Sequence, residues 1–160
     1  MKNSICLVLC IFFLQFAQNS FCQVFGTGLE AGGDKRVSVV VERMTADGGQ
    51  IGLIERVIKN KVELQLRRNG LIPVDEETGI RRGMYLYINI NVVGLSYSWA
   101  VRFYRRVVYW VEEEPYFLLT TTWNIGGVGT HGGDSKYIID FLLDGVDIFS
   151  NAFLSVNPER

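Results

Sequence analysis

The sequence predicts an α+β domain: a mainly antiparallel sheet of about four to five strands with two helices packed on one face, in the order β-α-β-β-β-β-α. Three observations carry this prediction. Ile51–Arg68 places apolar residues at 51, 54, 58 and 62, the spacing of an amphipathic helix. Met84–Val93 alternates apolar and polar residues, as a strand with one buried face does. Gly94-Leu95 then suits a two-residue hairpin loop, with Gly at the first central position as a type II′ turn requires.

The elements follow in order. Gln23–Arg36 is Gly-rich and reads as a flexible lead-in to a single domain over residues 37–158. Val37–Glu42 is short and β-branched, a buried strand. Asp47-Gly-Gly-Gln50 has the acid-then-Gln spacing of a capping box and is expected to start the Ile51–Arg68 helix. Pairs Glu55–Lys59 and Glu63–Arg67 support that helix, and Asn69-Gly70 stops it. Leu71–Val74 reads as a short edge strand interrupted by Pro73, and the charged Asp75–Gly83 as a loop.

Met84–Val93 and Tyr97–Val111 form the central hairpin. A two-residue loop pairs Val92 with Tyr97, Ile90 with Trp99, Ile88 with Val101 and Leu86 with Phe103, so the apolar partners share one face. A three-residue loop would set Asn89 against Val101 and mix the faces. Glu112-Glu-Glu-Pro115 is the next turn, Tyr116–Trp123 the next strand, and Gly126–Gly133 a Gly-rich loop. Asp134 or Ser135 caps a last helix over Lys136–Leu154.

Composition excludes several function classes. Lys plus Arg number 16 against 17 Asp plus Glu, so the chain lacks the basic footprint of a nucleic-acid binder. One histidine, His131, leaves no His/Cys metal site, and no cofactor or metal is expected. Met1–Cys22 has the layout of a secretory signal peptide: Lys2, an apolar run Ile5–Leu14 too short to span a bilayer, then polar residues. Cleavage after Cys22 or after Ala17 fits the pattern, and lipidation of Cys22 is the minority reading because Phe21 stands where a small residue belongs. All three cysteines lie in this segment, so the body must be held by its core without disulfides. Removing the segment takes away Lys2 and leaves 15 basic against 17 acidic residues. The expected product is secreted or periplasmic, not an integral membrane protein.

Two regions carry functional expectations. On the polar face of the hairpin, Tyr85 faces Tyr104 and Tyr87 faces Arg102, with Arg106 and Trp110 further along. These are the side chains that dominate interface energetics, although ordinary cross-strand stabilisation explains them equally well. Gly127-Val-Gly129-Thr-His131-Gly132 matches G-x-G-x-x-G before a helix, a pattern that can hold phosphate on backbone N–H groups. No parallel strand follows that helix, which argues against a dinucleotide fold. His131, Asp134 and Ser135 are too crowded for a hydrolase triad. Glu112–Glu114 lacks the further oxygen ligands of a cation site. The leading expectation is a non-enzymatic domain that binds an envelope or extracellular protein through the Tyr/Arg face and the Gly-rich loop. The alternative is a small-molecule or phosphate-binding protein, an enzyme in one version, using Gly126–Gly133 at the helix N-terminus.

The segments VELQLRRNGL (Val62–Leu71), YLYININ (Tyr85–Asn91), TTTWNIGGVGT (Thr120–Thr130) and FLSVNP (Phe153–Pro158) resemble those of a family of small exported bacterial proteins of uncharacterised function. The resemblance implies export and a shared domain, with no activity attached. The element order is also similar to small α/β domains of envelope assembly proteins, a likeness of fold alone.

Overall fold

A computed structural model describes residues 28–158; the predicted signal peptide, with Gln23–Thr27, lies outside the described residues. The fold is α+β, with five strands in one mixed sheet and four helices. In chain order these are β1 (Arg36–Val41), α1 (Ala46–Gln50), α2 (Glu55–Arg68), β2 (Ile72–Val74), α3 (Glu76–Arg82), β3 (Met84–Val93), β4 (Ser96–Val111), β5 (Glu114–Thr130) and α4 (Ser135–Val156). The strand order is β2-β1-β3-β4-β5. β1 pairs in parallel with both β2 and β3, while β3-β4-β5 is an antiparallel meander.

The parallel half explains where the helices sit. The chain leaves β1 through α2 to reach β2, then returns across β1 through α3 to reach β3. Right-handed crossovers made in opposite lateral directions must place their helices on opposite faces. Accordingly α2 buries Ile58, Val62 and Leu66 in the main core, while Gly79 of α3 lies against Ser38 on the other face. The mainly antiparallel reading holds for the β3-β4-β5 part of a mixed sheet, and one expectation is corrected: a helix covers the face expected to be free of helices. The segment Asp75–Gly83, expected to be a loop, is α3 with its caps. Asp75 accepts a hydrogen bond from the Thr78 backbone N–H at 2.7 Å, Arg81 and Arg82 close the last turn, and Gly83 ends it at φ 62°.

The start of α2 also differs from the reading. Thr45, not Asp47, caps the short α1, and Gly52 at φ 83° breaks the path before α2 begins at Glu55. Asp47 instead accepts from the Gly94 backbone N–H at 2.9 Å and holds the β3–β4 turn.

The β3–β4 register is the predicted one, with Val92, Ile90, Ile88 and Leu86 opposite Tyr97, Trp99, Val101 and Phe103. Those residues form the floor of the core. α4 lays Ile138, Leu142, Val146, Phe149 and Phe153 on it, with Phe103 5.3 Å from Phe149 and 5.7 Å from Phe153 between ring centroids. Part of the expected flexible lead-in is fixed to this core. Leu29 is buried, and Asn157 receives the Ala31 N–H at 2.6 Å and donates to the Leu29 carbonyl at 2.8 Å.

β5 is longer than expected and takes in Gly126–Thr130 of the expected Gly-rich loop, leaving His131–Gly133 as the connection to α4. Gly126–Thr130 pairs with Ser96–Ala100 of β4. Glycine serves close approach here: a Cβ on Gly129 would sit 2.8 Å from the Tyr97 hydroxyl, and one on Gly127 3.1 Å from Trp99 Nε1. Aromatic rings of β4 cover the glycines of β5, which restores the packing that glycine removes from a strand.

Candidate functional site

The residues singled out in the sequence divide into four places. Tyr85, Tyr87, Arg102 and Tyr104 do come together on the α3 side of the sheet, half-buried. Tyr85 stacks on Tyr104 at 5.1 Å, and Tyr87 meets Tyr104 edge-on at 5.8 Å. Burial pushes the hydroxyls of Tyr85 and Tyr87 above the usual phenol range, and for Tyr87 a hydrogen bond shared with Glu42 adds to it. The face is a cross-strand cluster of packed rings next to α3, with Glu42 accepting from Asn89 at its end.

Gly127 and Gly129 lie in a strand on the opposite face, their backbone part of the β4–β5 ladder. They form no loop at the start of α4, where the Asp134 side chain already accepts from the Lys136 N–H at 2.8 Å. His131, read as a solvated loop residue, is buried. Its Nδ1 accepts from the Gly133 N–H at 3.1 Å, which leaves Nε2 to donate to the Gly94 carbonyl at 3.0 Å. It pins the β5–α4 connection to the β3–β4 turn.

Arg106 and Trp110 belong to a different structure. β3 ends opposite Arg105, and the Arg106 N–H donates to the Gly83 carbonyl at 2.7 Å. Beyond that point, among the described residues, β4 and β5 pair only with each other, through Val107–Leu118 to Val111–Glu114. Trp110 is therefore about 20 Å along the strand from Tyr104, at 3.4 Å per residue. This two-stranded arm projects past the end of the sheet with both faces open. Four aromatic residues (Tyr109, Trp110, Tyr116, Phe117) and four aliphatic ones (Val108, Val111, Leu118, Leu119) are exposed on it, Trp110 and Phe117 at 68% each. Strand alternation puts Val108, Trp110 and Phe117 on one face and the stacked pair Tyr109–Tyr116, 5.4 Å apart, with Leu118 on the other. The tip is Glu112-Glu113, both residues at positive φ (48° and 71°), followed by Glu114.

A polar groove of about 270 Å³ lies at the base of the arm, lined by Glu30, Arg82, Arg105 and Arg106 among others. At the far end of the sheet a shallower, mainly apolar groove of about 470 Å³ runs between Val93, Tyr97 and Val128. Among the described residues no group of three His, Cys, Asp or Glu is placed to hold a metal ion, and no helix is long and apolar enough to cross a membrane. Sequence reasoning placed Trp110 on the Tyr/Arg face and missed the arm. The signal was present: β4 is longer than β3 by the six residues from Arg106 to Val111, so its end has no neighbour on that side. No protein-family model and no curated protein matches the chain.

Proposed function

We propose that this chain is an exported, non-enzymatic interaction module that binds a protein partner through the β4–β5 arm. One observation carries the reading: eight large apolar side chains stand exposed on both faces of a ribbon that, among the described residues, packs on nothing else. An isolated two-stranded hairpin is marginal in water, and contiguous exposed apolar surface of this kind marks an interaction site. The signal-peptide pattern of Met1–Cys22 and the resemblance to small exported proteins support the extracytoplasmic address. β5 adds a second attraction. Between Pro115 and Thr130 it has no charged residue, and among the described residues no strand pairs with its outer edge, which leaves Pro115 and the bulge at Thr122 as its protection against strand addition.

The test is site-specific photo-crosslinking in intact cells from position 110, from position 117 and, as a comparison, from position 87. A saturable product from the two arm positions, absent from position 87 and lost in Trp110→Ser/Phe117→Ser, supports the reading. Arm positions that capture nothing while the protein is folded and exported would sink it. The phosphate-binding alternative draws less support, since Gly126, Gly127 and Gly129 are part of a ladder and the Asp134 side chain occupies the Lys136 N–H at the start of α4.

A further inference from the structure

The arm is charge-segregated against the surface it grows from, and this identifies what it docks on. Its tip is the acidic run Glu112–Glu114. Its base is a collar of arginines assembled by topology. β1, β2 and β3 all begin at this end of the sheet, and α3 runs back to it, so its last turn delivers Arg82 to a groove shared with Arg105 and Arg106 of β4. Arg82 is paired with Asp34, and Arg105 approaches Glu30 at 3.9 Å. Arg106 is exposed and makes no salt bridge among the described residues. Between tip and collar lies the apolar shaft.

We propose that the occupant of the arm is a second copy of this chain, with two arms lying antiparallel about a two-fold axis through their midpoints. This rests on the reading of the arm as a docking element and names its partner. A two-fold contact must be self-complementary, each patch meeting its symmetry mate. An acidic tip and a basic groove, separated by one arm's length on the same molecule, satisfy that condition. Antiparallel overlap sets shaft on shaft and brings each Glu112–Glu114 tip to the partner's groove at Arg82, Arg105 and Arg106. The eight half-exposed side chains present roughly 800 Å² over both faces of the arm, so one face contributes roughly 400 Å² to such a contact, at the small end of specific interfaces, and the charged ends add to it. The same acidic tip disfavours an anionic lipid surface as the occupant.

The full exported chain, purified from cells that process it, is examined by sedimentation velocity across a concentration series. A dimer is expected. Trp110→Ser/Phe117→Ser should give a monomer with an unchanged far-ultraviolet circular dichroism spectrum. Glu114→Arg and Arg106→Glu should each weaken association by about tenfold, and combining them should recover most of the loss, because each reversed tip then meets a reversed groove. Arg105→Glu gives a second reversal in the same groove if Arg106→Glu disturbs Gly83. Two results overturn the proposal: a monomer at every concentration up to about 100 μM, far weaker than stable interfaces, or a dimer indifferent to the arm substitutions. If the chain is monomeric and position 110 still cross-links a different protein in cells, self-pairing falls while the docking reading stands. If neither occurs, both fall.

Discussion

Gly145 and Trp99 show how single residues tie the helical layer to the sheet. A Cβ on Gly145 of α4 would lie 2.6 Å from the Trp99 ring, the same ring that covers Gly127 of β5. Gly145→Ala should gain about 1 kcal/mol of helix propensity and lose about 1–3 kcal/mol to overpacking, a net loss read as a lower denaturant midpoint at unchanged slope. Protonation tests a second residue. Asp34 is held below the usual carboxylate range, first by the Arg36 side chain, with Arg82 adding to it. A carboxyl depressed in the folded state contributes stability above its ordinary value, lost as pH falls through the folded one. Asp75, bound to Thr78, and Glu55, bound to the Met44 N–H, act in the same direction. The unfolding midpoint should therefore be flat above about pH 5 and fall below about pH 4. Asp34→Asn should be less stable at neutral pH, with the gap to the parent closing towards pH 2.

Among elements, the arm and the central hairpin are one pair of strands with two different fates. Up to Arg105 β4 is flanked on both sides and roofed by α4; beyond it, among the described residues, the same strand keeps one neighbour and no roof. Local stability follows buried apolar contact, so backbone amides of Val107–Val111 and Tyr116–Leu119 should exchange with solvent fastest among paired strand amides, and those of Ile88 and Val101 slowest. Hydrogen exchange resolved by residue checks this, and the arm amides should slow as concentration rises if arms pair. The strongly periodic elements were legible in the sequence because one local rule decided each: 3.6-residue spacing for α2 and α4, alternation and turn length for the β3–β4 register. What escaped was decided elsewhere. Gly126–Gly129 reads as a loop because glycine is a poor strand former; only the rings of Tyr97 and Trp99 on the next strand make it a strand. α3 was hidden by its short length and two charged ends, although Asp75 and Gly83 are ordinary caps. The Tyr85–Tyr104 and Tyr87–Arg102 pairs followed correctly from register, yet Trp110 was grouped with them because alternation gives the face of a residue and not whether the sheet continues beside it.

At the scale of the whole molecule, fold stability and association make opposite demands on the same turn. Glu112 and Glu113 both occupy left-handed backbone, which costs a residue with a Cβ about 1 kcal/mol or more each, and a two-residue hairpin loop with positive φ at both positions strongly favours Asn-Gly. Two glutamates are the wrong residues for the turn and the right ones for a tip that seats in an arginine groove. Replacing them with Asn-Gly separates the two effects. Glu112→Asn/Glu113→Gly should raise the thermal midpoint measured at a dilution where the chain is monomeric, because relief of backbone strain acts within one copy. The same variant should dimerise more weakly, by about fivefold or more, because two of the three tip charges are gone. The dilution matters, since association itself stabilises the folded chain and would mask the gain at high concentration. A parallel rise in both quantities would mean that the glutamates serve neither turn nor partner, and a fall in both would place them in an intramolecular contact that the extended arm does not make.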